Sequence, residues 1–167
     1  SSMPEVLAYH EDNIRSSDIL ARLDLEVGEF FVVSAHREEN VDRDDRLREL
    51  ITSLHHIGDK YKKRILVSTH PRTRKRIQAL NCPESLQHDR VQYLPPFGFF
   101  DYVALQTSAF CVISDSGTLT EEASILGFPG VMIRDAHERP EGMDVGLLVM
   151  ARMEADKICA AIDLVVK

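Results

Sequence analysis

The chain has little of what would place it in several large classes of protein. Its 167 residues hold three cysteines, Cys82, Cys111 and Cys159, odd in number and widely spaced. That fits neither a disulfide framework nor a zinc-ligand pattern. Cys111 lies in an apolar run, where a thiol behaves as a small core residue, and the sparse thiols point weakly to a reducing, cytoplasmic setting. Positive charge is also in deficit: 20 Lys and Arg against 27 Asp and Glu leave a formal −7. General nucleic-acid binding, which draws its affinity mostly from cations on phosphates, is disfavoured. A local anion site survives that exclusion, because backbone N–H groups at a helix start can hold a diphosphate on an acidic protein. No apolar run reaches the ~20 residues of a membrane span, and no signal peptide is expected. The opening Ser1-Ser2-Met3 is compatible with a cloning scar and is given no structural weight.

What is present is a hydrophobic fraction of 44%, enough for a real core in one domain spanning residues 1–167. Apolar runs alternate with stretches of helical periodicity. Strands are expected at Phe30–Ala35, Ile65–Thr69, Val91–Leu94, Phe110–Ile113, Gly130–Ile133 and, shorter, Leu147–Val149. Between them, Leu47, Leu50, Ile51, Leu54, Ile57 and Tyr61 recur at helical spacing, with Asp42 or Asp44 as a candidate cap. Pro71 suits the first turn of a helix whose short apolar face is Ile77 and Leu80. Helices are expected at Phe99–Gln106 and at Thr118–Leu126, the latter stopped by Gly127-Phe128-Pro129. A last helix carries Ile158, Ala161, Ile162 and Val165, and a first one spans about Asp12 to Leu23. This alternation predicts an α/β, Rossmann-like three-layer domain with a mostly parallel sheet. The strands lack polar alternation, as expected when helices cover both faces.

In such a sheet ligands sit outside the carboxyl ends of the strands, and unusual residues concentrate there. Ser114-Asp115-Ser116-Gly117-Thr118 lies between the fourth strand and its helix. Free N–H groups and the helix dipole favour an anion at that point, and Ser116 and Thr118 bring hydroxyls. The plainer reading is capping, since Thr118 and Glu121 match a capping box; both can hold at once. The Gly-Lys-Ser/Thr ending of a Walker loop is missing, as is the first glycine of a nucleophile elbow. Glu121 reads as an ordinary acid in a first helical turn, whereas Glu122 reads equally as that or as an acceptor for ribose hydroxyls. His36-Arg37-Glu38-Glu39-Asn40 follows the first strand. His36 can donate to a phosphate or move a proton near neutral pH, and Arg37 can clamp an anion; Glu38 and Glu39 read as loop charge. No second histidine at ligand spacing supports a metal site there. His70 reads first as a loop residue before a proline-started helix, and Arg72, Arg74, Lys75 and Arg76 as a solvated helix face. The segment from Arg134 to Asp144 is a charged candidate loop at a strand end. Among the aromatic residues, Tyr102 is the one with a place beside a nucleobase.

His-Arg-Glu-Glu-Asn at 36–40, Ser-Asp-Ser-Gly-Thr-x-x-Glu-Glu at 114–122 and His-Glu-Arg-Pro-Glu-Gly at 137–142 together resemble the non-hydrolysing UDP-N-acetylglucosamine 2-epimerases of bacteria, over about Val6 to Ile162. Most members have Ser-Gly-Gly where this chain has Ser116-Gly117-Thr118, and many have Thr-Glu-Arg-Pro-Glu where it has His137-Glu138-Arg139-Pro140-Glu141. With Gly142-Met143-Asp144, these departures resemble the branch that makes UDP-N-acetyl-L-fucosamine for capsule and O-antigen. The resemblance implies the C-terminal half of a GT-B fold, with the N-terminal domain absent, and a UDP-sugar substrate. Ser116, Gly117 and Thr118 would hold the diphosphate and Glu122 the ribose. His36 and Arg139 would face the reacting diphosphate, and Arg37 and His70 match positions near a second nucleotide-sugar site in some relatives. The implied chemistry is elimination and re-addition of UDP, which needs no cofactor. Further carboxylates would come from the first domain, and the full-length enzyme is expected to be a homodimer. A GT-B glycosyltransferase and a non-catalytic nucleotide-binding domain are the competing expectations.

Overall fold

The computed structural model describes residues 3–80, 88–134 and 148–166. Six strands form one sheet: β1 (Phe30–Ser34), β2 (Arg64–Ser68), β3 (Val91–Leu94), β4 (Cys111–Ser114), β5 (Gly130–Ile133) and β6 (Leu148–Ala151). Their order is β3-β2-β1-β4-β5-β6, and each neighbouring pair is parallel. All five residues of β1 are buried, and alternate side chains serve opposite faces. Phe31 and Val33 join one core with Leu47, Leu50, Leu54, Ile158 and Ile162. Phe30 and Val32 join another with Ile19, Leu66 and Leu105. The result is the three-layer α/β architecture expected, with a sheet that is parallel throughout the described strands.

The helices follow from their apolar spacing. α5 (Asp44–Tyr61) buries Leu47, Leu50, Ile51, Leu54 and Ile57 and ends where Lys62 turns left-handed. Neither acid proposed as its cap has that role: Arg43 stands at the N-cap without a side-chain bond, and Asp44 lies in the first turn, where the helix dipole favours a carboxylate. α6 (Pro71–Ala79) begins on its proline. α7 (Phe99–Ser108) and α8 (Leu119–Leu126) cover the other face, and α8 stops at Gly127, whose φ of 77° suits glycine. α9 (Ala155–Val165) packs on β5, β6 and α5.

The single helix expected near Asp12–Leu23 is instead two short ones, α2 (Glu11–Arg15) and α3 (Ile19–Arg22), preceded by a further helix α1 (Met3–Tyr9). The break has a local cause. Ser17 Oγ accepts from the Ile19 amide and donates to Asp101, so a serine competes with the helical ladder. Arg22 then bridges Asp18 and Asp101, tying α3 to α7. A further short helix, α4 (Glu38–Val41), stands where only a loop was expected.

The order of strands reverses direction between β1 and β4, each flanked by a different half of the sheet. A parallel sheet opens a crevice at the carboxyl ends of such a pair. Here that places the segments after Ser34 and after Ser114 side by side.

Candidate functional site

The crevice is built around one buried carboxylate. Asp115, 1% exposed, leaves the end of β4 and reaches across to the segment after β1. It accepts from the backbone amides of His36 and Arg37, both at 3.0 Å, and from Asn40 Nδ2 at 2.9 Å. Asn40 is itself buried, and its Oδ1 accepts from Arg46 at 3.1 Å. Arg134, at the end of β5, donates to the Asp115 carbonyl at 2.7 Å. A carboxylate satisfied by three donors is stable without a direct counter-ion. Its effect is to fasten the β1–α4 turn to the β4–α8 turn, leaving His36 exposed at the junction.

The β4–α8 turn spends its hydroxyls in an unexpected direction. Thr118 occupies the N-cap of α8 yet makes no side-chain capping bond. The capping box with Glu121 does not form. Thr118 Oγ1 donates instead to Glu122 Oε2 at 3.1 Å, and Gln106 Nε2 donates to Glu122 Oε1 at 3.1 Å. Ser116 Oγ lies 3.0 Å from Thr118 Oγ1, and the Ser116 amide donates to Ser114 Oγ at 3.1 Å. The start of α8 thus lacks the side-chain cap that its sequence invites, and a helix start left so attracts an anion. Gly117 keeps the approach clear. A Cβ there would meet only Arg134 Nη2 at 3.9 Å, so the glycine opens space toward a ligand and is not demanded by protein packing.

Two cavities meet over this turn. One, of about 480 Å³, is lined by His36, Arg37, Asp115, Ser116, Gly117 and Arg134. The other, of about 300 Å³, is lined by Ser34, His36, Ser68, Pro96, Phe97, Tyr102, Ser116, Thr118 and Glu122. The first is rimmed by cations and the α8 start, which suits a diphosphate. The second has an apolar and aromatic wall and a carboxylate, which suits a nucleoside. Burial, aided by the Glu122 charge, pushes the Tyr102 hydroxyl up to about 12. It therefore stays protonated throughout the neutral range.

A third cavity, of about 350 Å³, lies on the far side of His36 and is lined also by Glu38, Val41, Asp42, His70, Arg72 and Thr73. His36 and His70 thus share a pocket, whereas Arg37 lines the first cavity. The helix start beside this pocket is partly capped. His70 Nδ1 accepts from the Arg72 amide at 3.1 Å, and Pro71 has no amide to offer. The basic run on α6 is not simply a solvated face. Arg72 pairs with Asp42, Arg74 donates to the Tyr93 carbonyl, and Arg76 donates to the carbonyls of Val41 and Asp42. Arg72 and Arg76 brace α6 against the end of α4, and Arg74 ties it to β3. The Arg37–Glu39 pair at 2.6 Å is exposed and contributes little.

His36, Ser116, Gly117, Thr118, Glu122 and Tyr102 thus come together, Arg37 stands at their edge, and His70 stands apart behind His36. Arg139 lies outside the described residues, as do His137, Glu138 and the rest of that motif. Two residues were passed over in the sequence, Asp115 as the fastener and Gln106 as a partner of Glu122, whereas Arg134, at the head of the charged candidate loop, lines the first cavity. Asp115 had a signal, being a charge that only Ser114 separates from the apolar run Phe110–Ile113. Gln106 had a weaker one, a polar residue on the buried side of α7.

Comparison with known proteins gives the family and the fold. The family model described as UDP-N-acetylglucosamine 2-epimerase matches residues 2–167. A UDP-N-acetylglucosamine 2-epimerase of Methanocaldococcus jannaschii is 33% identical over 137 residues, covering 81% of this chain and 37% of the relative. The structure of UDP-N-acetylglucosamine 2-epimerase from Rickettsia bellii is similar at 44% identity and a TM-score of 0.82, over 98% of this chain and 43% of that one. The M. jannaschii enzyme in complex with UDP-GlcNAc and UDP is similar at 28% identity and a TM-score of 0.84, over 98% and 46%. The chain therefore spans less than half the length of the relatives it matches.

Proposed function

This chain belongs to the UDP-N-acetylglucosamine 2-epimerase family, and from that premise we propose that it is the nucleotide-binding half of a UDP-N-acetylhexosamine 2-epimerase, the C-terminal half of a GT-B arrangement. The observation that carries the reading is the α8 start, left without its side-chain cap and ringed by Ser116, Gly117, Thr118 and Glu122 beneath His36. A relative of the same fold has been solved in complex with UDP-GlcNAc and UDP, which supports a UDP-sugar as the ligand.

In this reading the diphosphate lies in the larger cavity, at the α8 start, and the ribose reaches Glu122. Tyr102, Pro96 and Phe97 wall the base. UDP leaves C1 as a base removes the C2 proton, giving a glycal; reprotonation at the opposite face of C2 and return of UDP complete the inversion. The demand on this half is to stabilise the leaving diphosphate, which helix-start amides and the cations Arg37 and Arg134 supply. His36, exposed where the cavities meet, is placed to donate to the diphosphate or move a proton. Arg139 is assigned to the same region. The carboxylates that exchange the C2 proton belong to the other half, as does the homodimer contact. The sugar is proposed to be the 6-deoxy-L-hexose of the N-acetyl-L-fucosamine branch, serving capsule or O-antigen synthesis, on the strength of Thr118 and the 137–144 motif.

The test is incubation with UDP-N-acetylglucosamine and with UDP-2-acetamido-2,6-dideoxy-L-talose in D2O. A protein joining this chain to the family's other half should place deuterium at C2 of one of them, and the chain alone should not. Turnover by the chain alone would refute the half-site reading. In the joined protein His36→Ala should lower kcat by roughly 100-fold or more while UDP affinity changes less; equal losses would reduce His36 to a binding residue.

A further inference from the structure

We infer that Gln106 and Thr118 are positioning residues that aim the Glu122 carboxylate at the ribose diol, and so give this site its preference for a ribonucleotide over a 2′-deoxyribonucleotide. The inference rests on the assignment of Glu122 to the ribose.

The geometry is a matter of counting lone pairs. An ionised carboxylate only accepts, and its two oxygens offer about four acceptor sites. Gln106 Nε2 takes one on Oε1 and Thr118 Oγ1 takes one on Oε2, each at 3.1 Å. One site on each oxygen remains, facing the cavity shared with Tyr102 and Phe97. Two acceptors on one rigid plane are what a vicinal diol needs, and a 2′-deoxyribose uses only one of them. The two holders come from different elements. Gln106 is 1% exposed on α7 and is held in place by burial. Thr118 stands at the start of α8, in the same helix as Glu122. Together they hold a side chain that would otherwise sample several rotamers, at an entropic cost met before the nucleotide arrives.

The direction of the hydroxyl chain follows. Thr118 has one hydrogen and must give it to the carboxylate, so the 3.0 Å contact with Ser116 Oγ requires Ser116 to donate to Thr118. Ser116 Oγ in turn accepts from the Thr118 amide at 3.3 Å. The diphosphate turn and the ribose hook are therefore one hydrogen-bonded chain from Ser116 to Glu122.

Calorimetric titration with UDP and with 2′-deoxy-UDP tests this. The unaltered chain should prefer UDP, and Glu122→Ala should abolish the preference. Thr118→Val, at an exposed position that leaves the core untouched, should shrink the preference roughly 3- to 10-fold by loss of one hydrogen bond to a charged group, chiefly by weakening UDP. Gln106→Leu should act in the same direction, and Thr118→Ser should restore the original ratio. An unaltered chain that treats the two nucleotides alike or binds neither, or a Glu122→Ala chain that keeps the preference, overturns the ribose assignment itself. Loss of preference in Glu122→Ala with none in Thr118→Val, or an equal loss of both nucleotides in Thr118→Val, leaves that assignment standing and overturns the positioning inference.

Discussion

The helices that follow β2 and β4 start at the same end of the same parallel sheet, a strand apart from each other across β1, and they start differently. After β2, Thr69 Oγ1 turns back to the Val67 carbonyl, His70 caps the Arg72 amide, and Pro71 removes an amide from the first turn. One amide of that helix start is thus capped and another is absent. After β4, Asp115 reaches away to the β1 segment, Thr118 gives its hydroxyl to Glu122, and the start of α8 is left without a side-chain cap. A helix start is an anion site by its dipole and amides, but only where the chain has not already closed it. The comparison explains why the nucleotide is assigned to α8, and why the pocket beside His70 is the weaker candidate for an anion.

The largest effect expected from this difference lies in Asp115. Asp115→Ala strips an acceptor from two backbone amides and a buried asparagine, and should cost roughly 3–5 kcal/mol of stability together with UDP binding. Thr69→Val, which removes one buried hydrogen bond at the corresponding place after β2, should cost only about 1 kcal/mol. Urea unfolding of both variants checks this; similar losses would mean that the two turns are equivalent. Next in size, Ser116→Ala should weaken UDP by roughly 1–3 kcal/mol and His70→Ala should lower stability by about 1 kcal/mol through loss of a cap without changing UDP affinity.

The smallest effect is expected away from both turns. His55 on α5 lies beside His88, with ring centroids 5.0 Å apart, and burial, then the neighbouring His88, holds its pKa below the ordinary 6.5. The unfolded chain therefore binds more protons at that residue than the folded one. Its contribution is present above about pH 6.5 and is lost as pH falls through the depressed folded value. Unfolding midpoints measured from pH 8 to pH 5 should fall less steeply for His55→Gln than for the unaltered chain. Identical slopes would contradict the assignment and leave acid sensitivity to be sought at the site.

Most of the fold could be read from the chain, because continuous apolar strands and helices with a clear apolar stripe carry their own periodicity. β3 and β5 fall where their residues predict, and α5 ends at the predicted Tyr61. The first helix was misread because Ser17 interrupts it through a contact with Asp101, 84 residues away along the chain, to which Arg22 also binds. The candidate site was legible in its ingredients and not in its wiring. Ser116, Thr118 and Glu122 are adjacent in sequence, so their convergence on one helix start could be anticipated. Asp115 binds residues 75 to 79 positions away, and the Thr118 hydroxyl turns to the Glu122 side chain while capping no backbone amide. Such choices among nearby acceptors depend on tertiary placement. The basic run on α6 failed for the same reason, since the carbonyls it braces belong to distant turns.

The central claim is that α8, and not α6, carries the nucleotide. Calorimetric titration with UDP, with TDP and ADP as controls, on the unaltered chain, Glu122→Ala and His70→Ala tests it most directly. The account predicts UDP-selective binding that Glu122→Ala removes and His70→Ala leaves intact. Binding that survives Glu122→Ala and disappears in His70→Ala would contradict it and move the nucleotide to the other helix.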